Sequence, residues 1–126
     1  MKSVLVVDDS KFMRAVVSGE LRGAGYTIAG EAECSQEAVE KYKALKPDIV
    51  TMDITMTIDG VTLGRSSNGI DAIKEIREFD PDAKILVVSA MGQKCYVIEA
   101  IEAGAKDFVV KPFDQMRLIE AIKKFD

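Results

Sequence analysis

The sequence predicts an α/β fold, a doubly wound, five-stranded parallel sheet with helices on both faces. Three observations carry this. Five short apolar runs rich in β-branched residues recur along the chain, and a segment of helical period follows each one. The runs "VLVV" and "ILVV" are continuously apolar rather than alternating, as strands buried on both faces are. Gly25, Pro47, Pro81 and Gly104 fall between segments, where helices stop and strands begin.

Taken in order, residues 3–7 (SVLVV) read as the first strand, and Ser10 is placed to cap a helix over 11–24. Gly25 ends that helix ahead of a strand at 27–32 (TIAGEA). Ser35 is placed to cap a helix at 36–45, and Pro47 interrupts before the strand at 48–52 (DIVTM). The third helix, 70–79, carries Ile70, Ile73 and Ile76 on one face, and Pro81 precedes the strand at 84–89 (KILVVS). A helix at 94–103, a strand at 107–110 (DFVV) and a helix at 115–124 complete the pattern. Strand, helix, strand units of this kind close as right-handed crossovers and cover both sheet faces.

A chain of 126 residues fits a single domain, residues 1–126, with enough apolar content to bury a core. Its net charge is −4 and its basic residues are scattered rather than striped, which speaks against nucleic acid as a partner. No apolar run approaches 18 residues and no secretory signal opens the chain, so a cytoplasmic protein without a membrane span is expected. Cys34 and Cys95 stand far apart and form no CxxC, and histidine is absent. Chemistry must therefore rest on carboxylates, hydroxyls, lysine and a hard metal ion.

Open parallel sheets bind ligands beyond the carboxyl ends of their strands. Those ends carry Asp8 and Asp9, then Glu31 and Glu33, Asp53, Ser89, and Lys111. If the first and third strands are neighbours, Asp8, Asp9 and Asp53 converge, and two carboxylates about 4 Å apart repel by roughly 4 kcal/mol at an effective dielectric near 20. A divalent cation such as Mg²⁺ supplies the counter-charge, and Lys111 adds a second. With the Ser89 hydroxyl, these groups describe a phosphoryl site in which Asp53, alone at its strand end, is the nucleophile. Taken singly, "DDS" is a helix cap, Ser89 a turn hydroxyl and Lys111-Pro112 a loop start; their joint placement at four strand ends favours the functional reading.

The motifs "VLVVDDS" (4–10), "PDIVTMDITM" (47–56), "GIDAIKEIR" (69–77), "ILVVSAMG" (85–92) and "EAGAKDFVVKPF" (102–113) resemble, in the right order, those of the CheY-like receiver domains of two-component response regulators. The resemblance covers nearly the whole chain and implies a flavodoxin-like (βα)5 fold with strand order 2-1-3-4-5. It also implies that Asp53 accepts a phosphoryl group from a histidine kinase, and that Mg²⁺ is bound by Asp9 and Asp53, by the Thr55 carbonyl, and by Asp8 largely through water. Ser89 and Lys111 match the residues that contact the phosphoryl group, with a cis peptide at Lys111-Pro112. Such a domain is not an enzyme beyond catalysing its own phosphorylation and dephosphorylation.

The resemblance further implies a switch in which Ser89 moves toward the phosphoryl group and an aromatic turns inward. Phe108 holds that position, where a Tyr is frequent, and a core Phe is the alternative account of it. Output would pass through the fourth helix, fifth strand and fifth helix, with Met91, Tyr96 and Phe113 either offering apolar contacts or packing inside. Thr55 and Met91 stand at the positions linked to dephosphorylation rate, and neither is a general base. With no output domain after Asp126 and with "SAMGQ" (89–93) resembling chemotaxis regulators, a stand-alone monomer signalling to a motility or relay protein is expected. Two alternatives stay open. A Mg²⁺-dependent small-molecule phosphatase would need an acid/base Asp where Thr55 stands, and a receiver scaffold without phosphorylation would act only as an interaction module.

One stretch departs from the family pattern. Between Asp53 and the third helix, Asp59-Gly60 and Asn68-Gly69 compete as the closing turn. The amphipathic "IDAIKEIR" follows Gly69, so Gly69 is taken as the family glycine and residues 57–67 as an irregular, solvated expanded loop, with Thr57 where Pro is usual. Arg65 and Asp59 are its residues with the charge to affect the site.

Overall fold

The computed structural model describes residues 2–54, 57–58, 61–62, 68–90, 94–111 and 115–125. In chain order they form β1 (Ser3–Val7), α1 (Lys11–Gly23), β2 (Thr27–Ala32), α2 (Ser35–Leu45), β3 (Ile49–Asp53), β4 (Thr57–Ile58), β5 (Val61–Thr62), α3 (Asn68–Phe79), β6 (Ile85–Ala90), α4 (Lys94–Ala103), β7 (Asp107–Lys111) and α5 (Gln115–Lys123). The main sheet is parallel with order β2-β1-β3-β6-β7, which is the expected 2-1-3-4-5 when its own strands are counted.

Strand side chains alternate between faces, and this explains the continuous apolar runs. Leu5 and Val7 of β1 enter a core shared with α2, α3 and α4, while Val4 and Val6 enter a second core shared with α1 and α5. Strand β6 repeats the division, with Ile85 and Val87 on one face and Leu86 on the other. Helices follow the same logic at their own period. Ile70, Ile73 and Ile76 of α3 are buried together, as are Leu118, Ala121 and Ile122 of α5. Each of these Ile and Leu side chains contributes roughly 1.5–3 kcal/mol relative to leaving it in water. At the sheet edge only half of β7 is covered: Val109 is buried, whereas Phe108 and Val110 are exposed.

Ser10 caps α1 as expected, its hydroxyl accepting from the Met13 N–H at 3.2 Å. Gly25 and Gly104, both at positive φ, follow α1 and α4. Ser35, in contrast, does not cap α2. Helix α2 begins one residue earlier, Cys34 holds the cap position and makes no side-chain cap hydrogen bond, and Ser35 is already helical.

The second correction concerns residues 57–67. Strands β4 and β5 pair antiparallel within this segment, Thr57 opposite Thr62 and Ile58 opposite Val61, as a two-stranded sheet separate from the main one. Two residues, Asp59 and Gly60, separate the strands, the spacing and composition that favour a tight hairpin between β-branched pairs. The two Gly signals thus do not compete. One falls in sequence between β4 and β5, and the other, Gly69, lies in the first turn of α3, which begins at Asn68, two residues ahead of the expected start at Ile70.

Candidate functional site

The chain runs from β1 outward to β2, then crosses back to β3 on the other side of β1. Strand order therefore reverses between β1 and β3, and the crevice beyond their carboxyl ends is where this architecture binds ligands. Asp8 and Asp9 follow β1, and Asp53 ends β3. One carboxylate oxygen from each of the three lies within 4.8 Å of the others. Asp8 and Asp53 are buried, while Asp9 is half-buried at the mouth.

Asp8 is held from every side. Its N–H donates to the Ala32 carbonyl at 3.0 Å, one carboxylate oxygen accepts from the Ser10 N–H at 2.9 Å, and the other pairs with Lys111 Nζ at 2.9 Å. The same ammonium stands 3.8 Å from Asp53 Oδ2. Lys111 reaches both because β7 runs beside β6, where Ala90 is its register partner, and β6 in turn pairs Val88 with Asp53. Lys111 is the ammonium paired with Asp8 and Asp53, and each like-charged carboxylate pair near 5 Å costs roughly 3 kcal/mol at an effective dielectric of 20.

Ser89 follows Val88 on β6, is 1% exposed, and its hydroxyl has no hydrogen-bond partner among the described residues. A buried, unsatisfied hydroxyl costs about 1–3 kcal/mol, a cost usually kept for a ligand or a second conformation. The donor set, three carboxylates and no sulfur or imidazole, suits a hard divalent cation of the Mg²⁺ type. A lysine bridging two of the carboxylates and a hydroxyl without a partner suit an anionic oxygen group beside that cation.

The structure thus brings together Asp8, Asp9, Asp53 and Lys111, with Ser89 at the end of the adjacent strand. Thr55 lies outside the described residues, as do Asp59, Arg65, Met91, Pro112 and Phe113. Phe108 is no core residue: on the open side of the edge strand β7 it is 38% exposed. Tyr96, by contrast, packs against the core under α2, α3 and α4.

Two residues near the site escaped the sequence reading. Arg14, one turn into α1, donates to the Asp8 carbonyl at 2.7 Å and pairs with Glu31 at 3.1 Å. Its four-residue spacing from the Ser10 cap was the available signal, since that spacing returns a side chain over the strand end. Gly69 was read as the family glycine that closes the loop, without its contact to Asp53. A Cβ there would meet the Asp53 backbone, a contact that no sequence pattern announces.

Comparison with known proteins is consistent with this geometry. The response regulator receiver domain family matches residues 4–123. Chemotaxis protein CheY of Thermotoga maritima is 60% identical over 123 residues, spanning 98% of this chain and 96% of that protein. Chemotaxis protein CheY of Bacillus subtilis is 50% identical over 121 residues, spanning 96% and 94%. Among solved structures, the CheX–CheY–BeF3–Mg complex from Borrelia burgdorferi superposes with a TM-score of 0.85 at 34% identity, covering 98% of this chain and 87% of that one. The receiver architecture, its acidic crevice and these relatives lead to one assignment: the chain belongs to the response regulator receiver domain family, in its CheY-like branch of two-component signalling.

Proposed function

We propose that Asp53 accepts a phosphoryl group from a histidine kinase in a Mg²⁺-dependent reaction, and that the phosphorylated protein changes its affinity for a motility partner. The observation that carries this is the trio of carboxylates within 4.8 Å of one another, with Lys111 bridging Asp8 and Asp53. Asp8, Asp9 and Asp53 would hold the Mg²⁺, which when bound offsets negative charge on the crevice and on incoming phosphoryl oxygens. An Asp53 carboxylate oxygen attacks phosphorus, forming a P–O bond as the P–N bond to the kinase imidazole breaks, and the imidazole leaves with a proton. The Lys111 ammonium is placed to stabilise an equatorial oxygen, and the buried Ser89 hydroxyl to donate to another.

The two chemotaxis relatives support a role in taxis, and we read the chain as a cytoplasmic monomer formed of one domain over residues 1–126. No helix among the described residues is long and apolar enough to cross a membrane. Ile98 and Ile101 of α4, Phe108 and Val110 of β7, and Met116 of α5 expose apolar side chains on the elements assigned to output. Phe108 is the proposed switch aromatic, exposed here and turning inward on phosphorylation.

The test is incubation with Mg²⁺ and acetyl phosphate, followed by intact mass. A gain of one phosphoryl group, lost in Asp53→Asn and in EDTA, is expected. Equal labelling of Asp53→Asn would overturn the assignment, and turnover of acetyl phosphate without a bound phosphoryl would point to a phosphatase.

A further inference from the structure

We propose that Arg14 is a positioning residue for the cation site, fixing the peptide that joins Asp8 to Asp9. This rests on the reading that Asp8, Asp9 and Asp53 bind Mg²⁺. The Arg14 side chain is 12% exposed, although it lies on a helix whose neighbouring Lys11 and Ala15 face water. Its Nη1 donates to the Asp8 carbonyl at 2.7 Å and its Nε to Glu31 Oε1 at 3.1 Å. Glu31 is itself held in place: Ser18 Oγ donates to its other carboxylate oxygen at 3.4 Å, and Lys41 Nζ donates to its backbone carbonyl.

The Asp8 carbonyl belongs to the peptide plane from which the Asp9 backbone departs. With the Asp8 N–H on Ala32, its carboxylate on Ser10 N–H and Lys111, and its carbonyl on Arg14, every polar group of the residue is engaged. Asp9 is thereby suspended between a pinned Asp8 and Ser10, the cap of α1. The half-buried ligand thereby inherits a fixed backbone origin. Glu31 has an electrostatic part as well, since it neutralises a guanidinium that would otherwise repel a cation nearby.

Two effects of Arg14 on the cation therefore oppose each other, and this makes the proposal testable. As a bare positive charge Arg14 weakens Mg²⁺ binding, so its removal would tighten it; as a positioning group it strengthens binding, so removal weakens it. Groups that orient metal ligands typically contribute 10–100-fold in affinity. Titration calorimetry with Mg²⁺ on Arg14→Gln is expected to show binding weakened by about tenfold. Arg14→Lys, which retains the charge but reaches only one partner, is expected to fall between wild type and Arg14→Gln. Glu31→Gln is expected to weaken binding in a salt-dependent way.

Circular dichroism and melting in EDTA accompany each variant. Loss of stability with unchanged affinity would make Arg14 structural only, and Arg14→Gln binding as tightly as wild type, or more tightly, would overturn the proposal. If Arg14→Gln does not fold, Arg14→Lys decides alone, by weaker or by equal affinity. A wild-type protein that binds no Mg²⁺ would instead remove the cation reading on which the proposal stands.

Discussion

Gly69 sits so close to Asp53 that a Cβ built on it would lie 2.4 Å from the Asp53 carbonyl oxygen and 2.5 Å from the Ile54 Cα. Both neighbours are backbone, so neither can step aside by changing rotamer. The first turn of α3 therefore rests directly on the strand end that presents Asp53, and only glycine permits that approach. Gly69→Ala is expected to destabilise the protein by about 1–3 kcal/mol, the usual cost of overpacking a tight contact. Because the strain falls on Asp53, acetyl phosphate labelling is also expected to slow. A variant with normal melting and normal labelling would show that the contact relaxes freely.

Asp9 is the carboxylate of the trio nearest solvent, and relieving its repulsion is expected to show as stability. In EDTA, Asp9→Asn should be more stable than wild type by about 1 kcal/mol, small because solvent screens the charge. In millimolar Mg²⁺ the order should reverse, since ligand bound only by the native state stabilises wild type in proportion to the logarithm of concentration over Kd. Melting curves with and without Mg²⁺ check both halves.

Lys111 pairs with two carboxylates of the trio, and replacing it separates binding from chemistry. In Lys111→Met the carboxylates of Asp8 and Asp53 lose their ammonium, so Mg²⁺ affinity should rise severalfold. Phosphoryl transfer should nevertheless fall on the order of tenfold or more, because the group placed to meet an equatorial oxygen is gone. Calorimetry and labelling rates on one variant test the pair. A parallel rise in both would assign Lys111 to charge balance alone.

Tyr42 ties α2 to the end of α3: its hydroxyl donates to Asp80 Oδ2 at 2.7 Å, and its ring meets Phe79 edge to face. Burial first, and the Asp80 bond second, hold the hydroxyl pKa well above its ordinary value of 10.0. A folded value raised above the unfolded one stabilises fully below pH 10 and loses that contribution as pH rises beyond it. Tyr42→Phe should cost about 1 kcal/mol at neutral pH. Above pH 10 the gap to wild type should narrow, a trend that urea unfolding at pH 7 and 11 would measure.

The centre of the main sheet was legible because β1, β3 and β6 are buried on two faces, which leaves continuous apolar runs that no solvent-facing strand shows. The site was legible for a related reason: Asp8, Asp53, Ser89 and Lys111 interrupt apolar runs at strand ends, where a polar residue needs a purpose. Strands β4 and β5 were not, since two residues each are too short for a period to emerge. Arg14 hid in the polar pattern of α1, because its burial depends on Glu31 from another strand. The orientation of Phe108 depended on β7 being an edge, which is a property of sheet order and not of local sequence.

Among the described residues, strands β4 and β5 pair only with each other, yet the segment carrying them leaves the sheet after Asp53 and returns at the glycine packed against it. The register of the five parallel strands is independent of what occupies that interval, and lengthening it costs on the order of 1 kcal/mol. The interval is therefore a tuning slot. Material can be exchanged there by evolution or by a protein engineer while the core stays constant, and every exchange joins the chain between the strand that ends at Asp53 and the glycine packed against it.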